Sequence, residues 1–364
     1  MPKAFVTAAT GSQGSALCRL LLSKPSASPS SGAAEPWTVV STTRNTSSPA
    51  AIALAELGVG LTQAEWDNTP ALEAAIQGCT HLFLNLMPNL KTMESELPLA
   101  EKILDIAGRS GVKHIIYSSA YTGNDDKKDK PKDKATNGDD GDDDDNSSPI
   151  AKLMNALHDG KYAIEKLVLS YAHAQNTTTT TTTSTSSIQT ATVLRPGFFQ
   201  LNFLLPRVSM MYPALPSTRV WTTALRADTP IPMVDVRDIA RLAALVFDQP
   251  ARFNGKVLPV WGELLIPGQI MAELGAAVAE LEKEQGSTGT KGSRGAEFKA
   301  EFLTDEQVAE RKPTDLFANV QLLMRGMGRA AAEVHPPPSY GVEMTSFREF
   351  LAAERELVKK TYLP

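Results

Sequence analysis

A short glycine-containing turn near residue 10 has the residue types and spacing of a phosphate-binding loop. It reads Thr10-Gly11-Ser12-Gln13-Gly14 and lies between a strand-like and a helix-like segment. A glycine at the first position lets backbone approach a pyrophosphate, and one at the second lets a helix pack closely on a strand. Free N–H groups and the positive dipole end of that helix then attract the phosphates. The turn therefore predicts a dinucleotide site contacted by all five residues, although a plain tight turn could have the same two glycines.

The residues after the second predicted strand indicate which dinucleotide binds. NAD sites usually have an acidic residue there for the ribose hydroxyls. This chain has Ser41-Thr42-Thr43-Arg44-Asn45, with no acid. The Arg44 guanidinium can form charge-assisted hydrogen bonds to a 2′-phosphate. The segment therefore predicts NADP(H), the alternative being that Arg44 is a solvated surface arginine.

The elements that must position these residues alternate along most of the chain. Apolar patterns predict strands at 3–9, 37–42, 60–66, 81–86, 113–118 and 190–195, and helices at 15–23, 50–57, 70–76, 97–110 and 150–172. A further strand and helix are predicted at 232–236 and 236–247, and short elements from about Val257 are expected to cap the sheet edge. The alternation predicts an α/β fold with a doubly wound parallel sheet and right-handed crossovers.

Composition narrows the possible partners. Ten Asp and five Lys between residues 125 and 145 account for the formal net charge of −5, so bulk charge gives no argument for nucleic acid. Low-complexity inserts are predicted at about 124–148, 176–188 and 284–295, the first two as disordered loops. The two cysteines and five histidines show no ligand spacing, so we expect neither disulfide nor metal. Without an apolar run of 18 residues or a signal peptide, we expect a cytoplasmic protein with no membrane partner. The oligomeric state stays open.

Six motifs, in this order, resemble the NmrA-like group of atypical short-chain dehydrogenases: VTAATGSQGSAL, STTRN, HLFLNLMP, GVKHIIYSSAY, LRPGFFQLNF and VDVRDIARLAALVF. The resemblance runs from residue 4 to about 250. It implies a Rossmann domain with a smaller C-terminal α+β substrate domain. We expect residues 1–205 to form the NADP-binding domain, completed by about 232–257. Residues 206–231 and 258–364 would form the substrate domain.

The resemblance also implies roles by position. Besides the pyrophosphate loop, it places Thr43 and Arg44 at the adenosine phosphate, Asp67 near the adenine, Asn85, Leu86 and Met87 near the adenine-side ribose and phosphates, Ser118 and Ser119 near the nicotinamide, Lys161 on the nicotinamide ribose, and Pro196, Gly197, Phe198 and Phe199 along the nicotinamide side. One departure is Ala8, where the family usually has glycine. We expect a negative φ there and some tightening of the turn.

The catalytic acid is open between two registers. Short-chain dehydrogenases need a tyrosine four residues before the lysine, as a general acid whose pKa that lysine lowers. With Lys161 as the lysine, that position is Leu157 and the acid is absent. With Lys166, Tyr162 is in place on the same helix face, although the spacing could arise by chance. The sequence around Lys161 fits the family better, so Tyr162 should point elsewhere.

Two other residues could supply a proton. Tyr121 follows the fifth predicted strand, at the edge where parallel sheets bind ligands, or it is a packing tyrosine. His158 lies three residues before Lys161 and could share its face, or it is a surface histidine.

These features favour an NADPH-dependent oxidoreductase that reduces a small apolar carbonyl, imine or enone, in secondary metabolism. Phe198, Phe199 and Leu204 would line an apolar cleft for this small-molecule substrate. The missing tyrosine in the Lys161 register keeps two alternatives open. One is an NADP(H)-sensing regulator without catalysis. The other is a cofactor-bound isomerase or cyclase with no net redox change.

Overall fold

The computed structural model describes residues 1–26, 35–87, 95–123, 149–174, 186–284, 297–334 and 340–363, with only the backbone of 149, 151–158 and 173–174. Its strands are β1 Lys3–Val6, β2 Pro25–Ser26, β3 Glu35–Pro36, β4 Thr38–Thr43, β5 Gly60–Gln63, β6 His81–Leu84, β7 His114–Ser118, β8 Thr190–Pro196, β9 Phe198–Phe199, β10 Val220–Thr223, β11 Ile231–Val234, β12 Val257–Val260, β13 Glu263–Leu265 and β14 Lys299–Phe302.

The helices are α1 Ser12–Ser23, α2 Pro49–Glu56, α3 Thr69–Ile76, α4 Leu97–Arg109, α5 Pro149–Ala174, α6 Arg207–Met211, α7 Leu215–Thr218, α8 Val236–Asp248, α9 Pro250–Phe253, α10 Pro267–Glu284, α11 Asp305–Arg311, α12 Leu316–Glu333, α13 Phe347–Ala353 and α14 Arg355–Tyr362. A 3₁₀ helix covers Gln200–Phe203.

Seven parallel strands form the central sheet, in the order β12-β8-β7-β6-β1-β4-β5. The chain runs outward from β1 to β5 and then returns to β6 on the other side of β1. The crevice at the carboxyl ends of β1 and β6 is therefore the topological switch point, where open parallel sheets bind ligands. The predicted α/β Rossmann-type fold is confirmed.

Side chains of β1 alternate between the two faces of the sheet, as the pleat requires. Phe5 packs with Leu72 and Ile103 on the face covered by α3, α4 and α5. Val6 packs with Leu17 and Ala243 on the face covered by α1 and α8. Burial on both faces explains why the strand sequences read as apolar runs rather than as alternating patterns.

Strand placement beyond residue 200 differs from the predicted domain division. The strand Ile231–Val234, expected to complete the Rossmann sheet, instead joins a three-stranded sheet with β9 and β13. Val257–Val260 is the outermost strand of the central sheet, although the prediction gave residues from 258 onward to the substrate domain. Its Pro259 is tolerated because an edge strand leaves one row of N–H positions unpaired.

Low-complexity segments were predicted at three places. The one at 124–148 and most of those at 176–188 and 284–295 lie outside the described residues. The short strands β2 and β3 pair antiparallel.

No helix in the described ranges is long and apolar enough to cross a membrane. Among the same residues, no cluster of three or more His, Cys, Asp or Glu could hold a metal ion.

The backbone of the β1–α1 turn corrects one expectation. Ala8 has a φ of +49°, so the expected negative value is wrong. The chain reverses here within a few residues, and the Gly11 N–H donates to the Ala8 carbonyl oxygen at 2.9 Å. This left-handed conformation is easy for glycine but costs an L-residue about 1–2 kcal/mol. Ala8 therefore stores strain at the entrance of α1.

Replacing Ala8 with glycine should relieve this strain. After allowing for the greater entropy of an unfolded glycine, Ala8→Gly should raise the free energy of unfolding by about 0.5–1 kcal/mol in urea titrations. The neighbouring Ala9→Gly is the matched control. Ala9 is not among the residues with positive φ, so that change should lower stability by a similar amount. Equal losses in both variants would contradict the account.

Candidate functional site

The first turn of α1 is free to bind an anion. Gly11 occupies the N-cap without any side-chain capping bond, and no acidic residue lies in the first turn. A Cβ at Gly14 would lie 2.4 Å from the Ala8 carbonyl oxygen and 2.7 Å from the Ala9 Cα. Only glycine therefore allows α1 to sit this close to the end of β1. The uncapped N–H groups next to this close contact fit a pyrophosphate.

Thr43 and Arg44 lie beside that turn, since β4 pairs with β1 and ends at Thr43. Arg44 is exposed and follows the strand directly. Asp67, predicted near the adenine, is also exposed, four residues after the end of β5. The structure thus places all three at the same edge of the sheet as Gly11.

The end of β6 is tied to the end of β1 by hydrogen bonds. The Asn85 N–H donates to Thr7 Oγ1 at 2.6 Å, and that hydroxyl donates to the Asn85 carbonyl oxygen at 2.9 Å. Of the other two residues predicted here, Leu86 is buried in the core and Met87 is 78% exposed. Asn85 therefore marks the crevice, and Leu86 serves in packing.

Ser118 and Ser119, predicted near the nicotinamide, are both buried at the end of β7. Ser118 Oγ donates to Gln13 Oε1 at 2.7 Å, and the Ser119 N–H donates to the Leu194 carbonyl oxygen at 2.8 Å. The bond to Gln13 links the first turn of α1 directly to β7, across the switch point.

Lys161 lies on the side of α5 that faces the sheet and pairs with a buried carboxylate. Its Nζ is 3.2 Å from Glu96 Oε1, and Glu96 is only 5% exposed. Burial raises the pKa of the Glu96 carboxyl, and the attraction of Lys161 offsets this only in part. Glu96 was not among the site residues predicted from the sequence. In the sequence, Glu96 is an acid just before a predicted amphipathic helix, and an acid in that position is more often a capping residue.

A second buried pair fixes α5 against the sheet. Arg195 on β8 donates from Nε to Glu165 Oε1 at 3.0 Å and from Nη2 to Oε2 at 2.5 Å. Glu165 is one helical turn after Lys161, so this bidentate pair also orients Lys161. Arg195 lies in the motif LRPGFFQLNF, but neither member of the pair was predicted as a site residue from the sequence.

Tyr162 and Lys166 share a face, as their spacing predicts. The Lys166 Nζ lies 4.5 Å from the centre of the Tyr162 ring. Lys166 is exposed and Tyr162 half-buried, on a stripe beside the inward one that holds Lys161 and Glu165. This placement favours the Lys161 register. The side chains of Leu157 and His158 lie outside the described residues.

The candidate proton source Tyr121 and the residues predicted along the nicotinamide side are largely packed. Tyr121 is 6% exposed, with its ring 4.6 Å from that of Trp261. A Cβ at Gly197 would lie 2.3 Å from the Pro232 carbonyl oxygen, so this glycine allows β9 to approach β11. Pro196 is buried and Phe199 half-buried.

The structure does not form the apolar cleft that was expected from Phe198, Phe199 and Leu204. Phe198 is 7% exposed and Leu204 fully buried, because both join the core between the sheets. Such side chains suit a core as well as a pocket, and the sequence alone did not separate the two.

A cavity of about 420 Å³ lies farther into the C-terminal half, within the usual size range of ligand pockets. Its lining includes Met210, Met211, Tyr212, Trp221 and Phe317, and none of the predicted cofactor residues. Phe203 separates it from the sheet: its ring centre is 5.8 Å from that of Phe198 and 5.1 Å from that of Trp221.

Comparison with known proteins relates the N-terminal part of the chain to one family. Residues 3–136 match the NmrA-like family. The NmrA-like oxidoreductase hkm9 of Aspergillus hancockii is 34% identical over 115 residues, 30% of this chain and 31% of that protein. The NmrA-like oxidoreductase FrzB of a Cladobotryum species is 26% identical over 269 residues, 70% of this chain and 66% of that protein. The matches thus span about a third and just under two thirds of these relatives.

Solved structures share the fold. The NADPH-dependent quinone oxidoreductase QOR2 of Escherichia coli, complexed with NADPH, superposes with a TM-score of 0.58 and 21% identity over 96% of this chain and 99% of its own. The negative transcriptional regulator NmrA, in complex with NADP, superposes with a TM-score of 0.52 and 16% identity over 99% and 91%. The chain thus has the Rossmann-type fold of these structures, and its residues 3–136 match the NmrA-like family.

The Glu96–Lys161 pair predicts a pH-dependent stability. Because burial raises the pKa of Glu96 in the folded protein, its stabilising contribution is complete below the unfolded value of about 4.3. That contribution is lost as pH rises through the folded pKa. Wild type should therefore lose free energy of unfolding relative to Glu96→Gln as pH is raised from about 4, in urea titrations at a series of pH values.

The exposed Glu73, which pairs with Arg109 at 3.0 Å, offers Glu73→Gln as the matched surface change. The decisive quantity is the difference in free energy of unfolding between wild type and Glu96→Gln across the pH series. A difference that stays constant, or that grows in favour of wild type with rising pH, would contradict it.

Proposed function

We propose that this protein is an NADP(H)-dependent oxidoreductase that reduces a small apolar carbonyl, imine or enone compound. The proposal rests chiefly on the uncapped, acid-free N-terminus of α1 beside the close contact that Gly14 permits. Its relatives hkm9 and FrzB are described as oxidoreductases, and QOR2 as NADPH-dependent, which supports the same class of activity.

The residues around the switch point can be assigned to parts of the dinucleotide. The N–H groups of Ser12 and Gln13 would bind the pyrophosphate. Thr43 and Arg44 would bind the 2′-phosphate, whose charge suits an exposed guanidinium at the end of β4. Lys161 would bond the nicotinamide ribose. The dinucleotide, when bound, supplies the hydride, and the protein supplies orientation and a proton.

Lys161 is also the best-placed group to hold a proton near that ribose. Its ammonium is only partly exposed, and its partner Glu96 is shielded from water. Glu96 and the Arg195–Glu165 pair are positioning residues in this scheme, since they hold the lysine and its helix. Tyr121 stays the alternative proton source, although its ring packs against Trp261.

The apolar class of substrate draws support from the cavity beside Trp221. Its wall of methionine and aromatic side chains suits a small, flat or irregular apolar molecule. FrzB and hkm9 are both fungal proteins, and we place the activity of this protein in secondary metabolism.

Arg44 should determine the preference for NADPH over NADH. Because charge-assisted hydrogen bonds are worth about 1.5–3 kcal/mol, Arg44→Ala should weaken NADPH about ten- to a hundredfold. NADH affinity should barely change. Isothermal titration of both dinucleotides measures this. Arg19→Ala, an exposed arginine on α1, is the control, and equal weakening of both dinucleotides by Arg44→Ala would refute the assignment.

Activity is tested by NADPH consumption with a panel of quinones, enones, imines and aldehydes. Wild type should oxidise NADPH with at least one compound. Lys161→Ala should lower kcat about a hundredfold or more if the ammonium supplies the proton. Tyr121→Phe removes only the phenol oxygen and should leave kcat unchanged. A large loss in Tyr121→Phe alone would make the phenol the acid instead.

A second function is favoured by one observation in the sequence. The position four residues before Lys161 holds Leu157 rather than tyrosine, and the fold is also that of NmrA, a regulator that binds NADP. An NADP(H)-sensing protein would bind the dinucleotide yet turn over no compound of the panel. An isomerase or cyclase would convert its substrate with no change in NADPH absorbance.

A further inference from the structure

An arginine from the second half of the chain reaches the first turn of α1. Arg207, the first residue of α6, donates from Nη2 to Ser12 Oγ at 2.7 Å. The two residues are 195 positions apart in sequence, and Ser12 is the first helical residue of α1. A half-buried guanidinium thus lies at the positive end of a helix dipole, where a cation is unfavourable unless an anion joins it.

The contacts of Arg207 orient it without neutralising it. Nη1 donates to Asn202 Oδ1 at 3.1 Å, and the guanidinium carbon lies 5.4 Å from the centre of the Phe199 ring. Every contact given for Arg207 within the described part of the chain is to a neutral group. Burial lowers the pKa of Arg207, as expected for a charge removed from water without a counter-charge. Two other half-buried arginines are paired with acids instead: Arg219 with Glu282 and Arg237 with Asp235.

We propose that Arg207 is the charged half of the pyrophosphate site, binding the dinucleotide's diphosphate together with the N-terminus of α1. This rests on the proposed function, since it assigns a residue of the same site. A guanidinium has five N–H donors, and the bonds to Ser12 and Asn202 leave donors for a diphosphate oxygen. The diphosphate would supply the counter-charge that both the helix dipole and the guanidinium lack.

This assignment also connects the two halves of the chain. The helix α6 carries Arg207 at its start and Met210 and Met211 at its end, and the two methionines line the cavity. Binding of a diphosphate to Arg207 would therefore hold one wall of that cavity in place. Asn202 and Phe199 are positioning residues in this assignment, because they contact the guanidinium of Arg207.

The test compares four nucleotides on wild type, Arg207→Met and Arg207→Lys by isothermal titration. NADPH, NADH and ADP-ribose contain the diphosphate, whereas adenosine 2′-monophosphate does not. Arg207→Met should weaken the first three by the same factor, about ten- to a hundredfold, and leave the fourth unchanged. Arg207→Lys should lie between, because it keeps the charge but loses the planar fork.

Arg252 provides the matched control. It too contacts only neutral groups, a carbonyl and an amide, with its guanidinium carbon 4.7 Å from the Phe253 ring centre. Arg252→Met should leave all four affinities unchanged. The proposal is overturned if Arg207→Met is folded, as shown by circular dichroism, and still binds ADP-ribose as tightly as wild type does. It is also overturned if the variant loses an equal factor in affinity for adenosine 2′-monophosphate.

If Arg207→Met does not fold, chemical labelling of the wild-type protein tests the same proposal. ADP-ribose should protect Arg207, and not Arg252, from modification by phenylglyoxal, followed by peptide mass spectrometry. Unchanged labelling of Arg207 at saturating ADP-ribose overturns the assignment. If wild type binds neither NADPH nor NADH, the proposed function itself is wrong. This result is distinguishable from a failure of the Arg207 assignment alone, in which wild type still binds the dinucleotides.

Discussion

The close approach of α1 to the end of β1 is the constraint on which the site depends. With a Cβ at Gly14 only 2.4 Å from the Ala8 carbonyl oxygen, no side chain fits between helix and strand. That contact sets where the N-terminus of α1 points. It also forces the turn into a left-handed residue at Ala8, so the geometry that exposes the N–H groups carries a local strain.

Side-chain hydrogen bonds hold the ends of the neighbouring strands in place against this turn. Thr7 joins the ends of β1 and β6, and Ser118 joins the end of β7 to Gln13 in the first turn of α1. The buried Arg195–Glu165 pair then fixes α5, whose next inward residue, Lys161, pairs with Glu96. The crevice is thus pre-formed by interactions that need no ligand, which lowers the entropic cost of binding one.

The sequence predicted the Rossmann-type fold because apolar periodicity and the glycine spacing are local signals. The helix that carries Lys161 and the pairing of Tyr162 with Lys166 follow from the same periodicity. The partners Glu96, Glu165 and Arg207 could not be predicted, since each meets its site across tertiary contacts of 30 to nearly 200 positions. The burial of Tyr121 and Leu204 was equally out of reach, because a pocket wall and a core use the same side chains. The positive φ of Ala8 had a signal, because the resemblance to the NmrA-like group implies glycine at this position, but a negative φ was inferred from it.

The most direct test of the central claim is the thermal unfolding of wild-type protein over a concentration series of NADPH. A ligand that binds only the folded state raises the unfolding midpoint steadily with its concentration, by the linkage relation. We expect such a rise with NADPH, and a smaller one with NADH at equal concentration. A midpoint that neither dinucleotide moves at millimolar concentration would contradict it.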